Sequence, residues 1–304
     1  MDILQAMRTF TAVVDAGSFV RAVEISGFSK PAVSRQVAEL EKHLGARLLH
    51  RTTRRLSLTD EGRTYYQRCK EILQAVEEAG AEAGNAAVKA RGRLRIGAPQ
   101  TFGALHLAPL WGRFAADNPM VSLDIVLSDR TVDLVEEGYD LVVRIGQLPN
   151  SDLVSRPLAR SRMMLCASPD YLARCGQPTQ PKDLARHETI AYSYWSSGDE
   201  WHFTGPSGAT SVRVSSRIHA NSGDTCRAAA LDGYGVVLQP DFLIHEDLRN
   251  GRLVELMPGY RGPELDIQAL YPTRRQVPLK VRRLLDFLVA ALRDPPWSLA
   301  GSRK

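Results

Sequence analysis

Cysteine is scarce in this 304-residue chain: Cys69, Cys166, Cys175 and Cys226 are the only four, with no CxxC pair and no histidine at zinc-finger spacing. That excludes a thiolate zinc site or a disulfide framework as the organising feature. Two readings stay open for the thiols, four reduced side chains in a cytosolic protein or a redox switch between two of them. Long apolar runs are missing too, so nothing reads as a membrane span. The segment from Met1 to Gln5 is acidic and polar too early for a secretory leader. Nucleophile-elbow, P-loop, HExxH and GxGxxG patterns are absent, and the seven histidines fall at neither triad nor metal spacing. The expectation is a soluble, cytoplasmic protein with no cofactor and no metal, and not an enzyme.

What is present is an ordinary globular balance. Hydrophobic residues at 44% and charged residues at 24% can fill the cores of two or three domains. The net charge of +5 is weak evidence for a nucleic-acid partner, so its distribution decides more than its size. Lys42, Arg47, Arg51, Arg54 and Arg55 crowd one short segment that holds no acidic residue. Elsewhere the charges nearly balance.

The first sixty residues read as three helices and a ribbon. Ile3, Met7, Phe10 and Val14 repeat at helical spacing, and Gly17 stops them. Ser18 can cap a short second helix carrying Phe19, Ala22 and Val23, which Gly27 ends. Ser29 then caps a third, with Pro31 in the first turn, where a missing N–H costs nothing. Val33, Val37, Leu40 and Leu44 form its inner stripe, while Ser34, Arg35 and Gln36 are expected to face outward. Two helices joined by so short a turn outline a helix-turn-helix. Any single arginine on such a helix is more often solvated than reading a base, but the basic segment beyond Gly45 changes the weighing. From Ala46 to Thr59, apolar residues bracket a cationic tip, the pattern of a two-stranded wing. Its guanidinium groups would lie along phosphates or enter a minor groove.

Thr59 caps the next helix, where Asp60 and Glu61 suit the positive end. Tyr65, Cys69, Ile72, Val76, Ala79 and Ala83 then step by four and three, a short heptad seam. The seam either joins two copies or packs against its own domain. Dimerisation is the favoured reading, since a reader this small usually needs two copies for specificity.

The stretch from Leu4 to Tyr66 closely resembles the LysR-type transcriptional regulators. The matching phrases are Phe10 to Phe19, Ser29 to Glu41, Leu44 to Leu49, Arg51 to Arg55 and Leu58 to Gly62. Val20, Val23 and the pair Ile25–Ser26 depart from the usual pattern, at helix-packing positions. The resemblance implies that Lys30, Pro31, Ser34 and Arg35 meet the major groove of promoter DNA, and that Arg54 meets the adjacent backbone or minor groove. With their neighbours Ser29, Gln36, Arg51, Thr52 and Arg55 these make the candidate DNA-binding set. The family's habit adds a homodimer through the helix after Thr59 and a homotetramer through further pairing.

The rest of the chain alternates strand and helix, which argues for a parallel α/β sheet. Strands are expected at 93–97, 121–127, 141–145, 163–167, 236–238 and 266–271. Helices are expected through Leu105 to Phe114, over 132–137, 227–231 and 279–292. The resemblance extends here more loosely, through Asp140 to Gly146, Leu153 to Leu158 and Gly233 to Val237. It implies an effector domain of two Rossmann-like lobes, as in type 2 periplasmic binding proteins, behind the winged helix-turn-helix. The expected layout is a DNA-binding domain over 1–58, a linker helix over 59–90 and an effector domain over 91–295, with a flexible tail over 296–304. Lobe I takes 91–162 and 266–295, lobe II takes 163–265, and the chain crosses near Arg160–Met163 and Pro263–Ile267.

A small-molecule effector would lie between the lobes, off the carboxyl ends of strands. Gln100 and Thr101 sit where a strand meets a helix N-terminus, a place that suits an anion. Ser128 and Arg144 end neighbouring strands. Asn221 and Ser222 precede the other lobe's helix, and Gln239 follows its strand. Each alone reads more readily as a turn or cap residue; together they are the candidate effector set, and Arg144 points to an organic anion unless Asp140 or another carboxylate neutralises it. Trp195 and Trp201 are either an apolar wall or core. Two other classes remain beside the regulator: a DNA-binding domain fused to a catalytic α/β domain, and a solute-binding protein, which the basic N-terminal domain argues against. A redox-responsive regulator is the further variant.

Overall fold

The computed structural model describes residues 1–51, 56–83, 89–130, 134, 136–146, 153–195, 197–272 and 277–298, with the side chains of Ile25, Ser26, Arg51 and several residues after Lys70 left undescribed. The chain divides into two compact units, Met1–Val88 and Lys89–Lys304. The helix following Thr59 falls within the first of these units.

In the first unit α1 (Ile3–Ala16), α2 (Phe19–Ser26) and α3 (Lys30–Leu44) each end on a left-handed glycine, Gly17, Gly27 and Gly45. Such positions suit a residue without Cβ. Asp2 and Ser18 cap α1 and α2 through side-chain oxygens, whereas Ser29 makes no side-chain cap to α3. Phe10, Val13, Ala22, Val33, Val37, Leu40, Leu48, Leu49 and Cys69 fill the core. Leu44, expected on the inner stripe, is the last residue of α3 and is exposed. Strands β1 (Leu49–Arg51) and β2 (Leu56–Leu58) pair antiparallel as the wing.

Helix α4 (Asp60–Ala83) is locked onto the wing at its start. The Thr59 hydroxyl donates to the Arg47 carbonyl at 2.7 Å and accepts from the Gly62 N–H at 2.9 Å. A Cβ on Gly62 would stand 1.9 Å from the Leu48 carbonyl oxygen, so only glycine allows this approach. The heptad seam divides. Cys69 is fully buried and Tyr65 packs on Phe10 in the domain's own core, while Ile72 and Val76 are 41% and 39% exposed.

The second unit holds β3 (Gly92–Ala98), α5 (Gln100–Phe102), a π-turn over Gly103–Leu107, α6 (Ala108–Asp117), β4 (Val121–Leu127), β5 (Leu141–Ile145) and the long β6 (Val154–Ala167). Next come α7 (Pro169–Cys175), a 3-10 segment Pro181–Arg186, β7 (Thr189–Tyr192), β8 (Glu200–Gly205), β9 (Gly208–Arg213), β10 (Ile218–Ala220) and α8 (Gly223–Leu231). The unit closes with β11 (Val236–Pro240), α9 (Asp241–Arg249), β12 (Val254–Glu255), β13 (Glu264–Tyr271) and α10 (Leu279–Ala291).

Two lobes share β6. Its first part pairs with β13, in the lobe that also holds β5, β3 and β4; from Met163 onward it pairs with β11 and β12, beside β7 and β10. The change of partner on β6 falls between Arg162 and Met163. The sheet of lobe I resumes at Glu264, two residues before 266. The sheet is mixed, not parallel: β3 runs parallel to β4 and β5, but β13 runs antiparallel to β5 and β6, because β13 returns from lobe II in the opposite direction. Over 132–137, Leu134 and residues 136–137 lie in turn, and the other residues fall outside those described.

The expected flexible tail is corrected at its beginning. Trp297 is 1% exposed, its ring meets His106 and Phe102 edge-on, and its Nε1–H donates to the Arg160 carbonyl at 3.0 Å. An indole buried with its N–H satisfied anchors the segment; residues 299–304 lie outside those described. Trp201 is buried and Trp195 packs beside it around the β8–β9 hairpin, so both belong to the core of lobe II. Among the described residues no helix is long and apolar enough to cross a membrane, and no group of three or more metal-ligating side chains gathers.

Candidate DNA-binding surface and effector cleft

Helix α3 presents Ser29, Lys30, Pro31 and Arg35 to solvent and Ser34 half-exposed, over a buried floor of Val33 and Val37. The floor fixes the helix rotation, so the exposed set is a consequence of burying the apolar stripe. Gln36 does not join it. Its Oε1 accepts from the buried Thr9 hydroxyl of α1, which turns the side chain inward to satisfy a polar group of the core. Glu41 is half-buried and its carboxylate accepts from the Leu48 and Leu49 N–H groups at 2.9 and 3.2 Å, tying α3 to the wing. Asp15 of α1 accepts from Lys70 at 3.0 Å and from the Tyr66 hydroxyl, tying α4 to α1. The wing strands carry exposed His50 outward. Thr52, Arg54 and Arg55, and the side chain of Arg51, lie outside the described residues.

The second unit brings Thr101, Gln239 and the start of α8 together. Thr101 is buried and its hydroxyl donates to Asp224 Oδ2 at 2.6 Å, from one lobe to the other. A Cβ on Gly223 would meet Leu243 at 3.0 Å, Gln239 Oε1 at 3.5 Å and Thr101 Oγ1 at 3.9 Å. Gln239 is 2% exposed, and its Nε2 has no hydrogen-bond partner. Ser222 caps α8 by accepting from the Thr225 N–H at 3.3 Å.

Gln100 is exposed, and its backbone N–H donates to Asp129 at 2.9 Å. Ser128 folds back to accept from the Arg130 N–H. Arg144 donates through Nη1 to the Arg130 carbonyl at 3.1 Å, while its buried Nη2 has no partner. Burial pulls its guanidinium below the usual value, against Tyr139, Asp129 and Glu137, which pull it up. Asp140 does not neutralise it: that carboxylate accepts from the Arg95 N–H and pairs with the buried Lys280 at 3.1 Å. Asn221 stands at the exposed rim, 3.5 Å from the Tyr194 hydroxyl.

Three features escape sequence reasoning. Asp129 and Asp224, which accept from the Gln100 N–H and the Thr101 hydroxyl, are absent from the expected set. Tyr192, at the end of β7 in lobe II, has its phenol pushed upward first by burial and then by Asp129 of lobe I. Behind the cleft, His106 donates from Nε2 to the Phe242 carbonyl at 2.9 Å, and Phe102, Phe242 and Trp297 enclose it. A separate hollow of about 370 Å³ lies between the β8–β9 hairpin and Arg261–Pro263, and none of the expected effector residues lines it.

The thiols are mostly shielded. Burial pushes Cys69 and Cys226 up to about 11, and Cys166 higher still; Cys175 alone is exposed. A thiol held so high carries little thiolate at neutral pH, which disfavours a redox role for those three.

Residues 4–63 match the profile described as bacterial regulatory helix-turn-helix protein, lysR family, and residues 88–293 match the LysR substrate binding domain. The chain belongs to the LysR family of transcriptional regulators. It is 36% identical over 296 residues to the HTH-type transcriptional regulator YhjC of Escherichia coli, covering 97% of this chain and 99% of that one. It is also 36% identical to the regulator PtxR of Pseudomonas aeruginosa, covering 98% of this chain and 96% of that one. Among solved structures, the LysR-type regulator CrgA of Neisseria meningitidis matches with 35% identity and a TM-score of 0.62, over 94% of this chain and 98% of that one. The full-length virulence activator AphB of Vibrio cholerae matches with 27% identity and a TM-score of 0.61, over 95% and 99%. The chain is therefore a LysR-type regulator with a DNA-binding helix-turn-helix and an effector-binding domain.

Proposed function

We propose that this regulator reads double-stranded promoter DNA in the major groove with Ser29, Lys30, Pro31, Ser34 and Arg35, while Arg51, Thr52, Arg54 and Arg55 of the wing hold phosphates or the minor groove. The carrying observation is the exposed, basic start of α3 over a floor of buried valines. A flat helix face of short side chains fits a groove, and a guanidinium beside it can pair with a guanine edge. The exposed Ile72 and Val76 of α4 supply the surface for a homodimer, and pairing of effector units would complete a homotetramer. The protein works in the cytoplasm, where promoter DNA is, and turns over no substrate.

The effector is a small organic acid held between the lobes. The unpartnered donors Gln239 Nε2 and Arg144 Nη2 both seek an acceptor, and Thr101, Ser222 and Asn221 stand near the same helix start or its rim. Gln100 and Ser128 line the facing edge. To move the regulator from mostly off to mostly on, the acid must favour one conformation by roughly 5 kcal/mol. Selection of bound genomic fragments by the purified full chain, followed by affinity against salt, tests the DNA half. A recurring sequence with two-fold symmetry and a steep loss of affinity with salt is expected. Equal binding to unrelated duplexes would overturn it.

A further inference from the structure

Two carboxylates that no part of the proposed reading uses stand in the cleft, one from each lobe. Asp224, on the first turn of α8 in lobe II, accepts a hydrogen bond from the Thr101 hydroxyl of lobe I. Asp129, just past β4 in lobe I, takes the Gln100 N–H and faces the Tyr192 phenol of lobe II. The arrangement is reciprocal, each lobe offering an acid to a hydroxyl of the other. A helix start and a buried hydroxyl are what an anion seeks. Here the protein's own carboxylates stand at both places.

We propose that Asp224 and Asp129 are specificity-determining residues of the effector cleft, internal surrogates for an acid that latch the lobes together and must be displaced by the effector's carboxylate. This rests on the reading that the cleft is the effector site. Displacement has a direct chemical meaning. The incoming carboxylate takes the Thr101 hydroxyl, and its second oxygen can accept from Gln239 Nε2, which has no partner now. Asp224 is released toward solvent at the rim, where it is already exposed. An effector without an acceptor group gains nothing at Thr101 and leaves the latch closed. Like charges cannot share the site, so each surrogate raises the concentration of acid needed to respond.

Hydrogen exchange on the full chain tests the latch, with Thr101→Val, Asp224→Ala and the double variant. Each single variant should speed exchange about tenfold in both 100–107 and 223–230, and the double variant should add little, because the two side chains make one bond. Additive effects, or effects confined to each residue's own lobe, would overturn the latch. Titration with succinate and benzoate, against succinamide and benzamide as neutral controls, tests the competition. Asp224→Ala should bind an acid about tenfold more tightly than the unaltered chain and the amides no better. An acid bound equally or more weakly by Asp224→Ala, or by neither chain, would overturn the competition. Acid binding that survives unchanged in Thr101→Val and Asp224→Ala alike would instead place the effector site elsewhere, sinking the cleft reading while the exchange result still judges the latch.

Discussion

The two units solve different problems with the same kind of residue. In the DNA-binding unit, apolar burial sets the geometry and leaves polar groups of α3 outward, with Arg35 and Lys30 exposed to solvent. In the effector unit the polar groups point inward and bind one another across a cleft, as Thr101 does with Asp224. A surface built the first way is rigid and always ready. A cleft built the second way is a set of bonds that can be exchanged, which is what a sensor requires.

If the lobes are held behind the cleft by aromatic packing, then Trp297→Ala should be the most damaging single change. It removes a fully buried indole that touches residues of both lobes and donates to the strand they share. A loss of about 3–5 kcal/mol is expected in the effector unit alone, seen by calorimetry as a lowered transition for that unit with the other unmoved. A single transition lowered throughout would break the comparison.

Gly62→Ala sharpens the other side. The added methyl would press on the Leu48 carbonyl, so α4 must shift from the wing, at roughly 2–3 kcal/mol. Both the stability of the DNA-binding unit and DNA affinity should fall, with the effector unit's transition unchanged. Unaltered affinity would show that the wing's seat on α4 does not matter to DNA binding.

The smallest expected effect is on pH. Burial first, and then neighbouring His245, holds the His106 imidazole below its usual value, while its bond to the Phe242 carbonyl pulls upward. A histidine lowered in the folded state favours folding while neutral, above its ordinary value near 6.5, and that contribution is lost as pH falls through the window below it. The effector unit should therefore lose stability on acidification from pH 7 toward 5, and His106→Gln should flatten that slope. An unchanged slope would assign the acid sensitivity to other groups.

The same contrast explains what could be read from the chain. The helix-turn-helix was legible because its parts are contiguous: caps, glycine stops and the apolar stripe of α3 fall within some sixty residues. The Ser29 cap and the burial of Leu44 were exceptions, and so was Gln36. Its spacing puts it beside the outward Arg35, but only the fold reveals that Thr9, buried 27 positions earlier, needs its oxygen. In the effector unit the strand ends were legible from alternation, whereas the lobe crossings came only with the family resemblance. The cleft's inner bonding was not, since Thr101 and Asp224 lie 123 positions apart and nothing local marks them as partners. Trp297 failed for a related reason, because its prolines and charged neighbours resemble a tail and its docking site is on β6. The antiparallel turn of β13 depends on a return from lobe II that periodicity cannot carry.

The central claim is that α3 reads base sequence from a surface set by its buried stripe. The most direct test is Arg35→Ala, measured as affinity for every single-base variant of the selected site. The account predicts a loss of about 1–3 kcal/mol and a collapse of preference at one base position in each half-site, with the others retained. An equal weakening of all variants, with the full pattern of preferences intact, would contradict it.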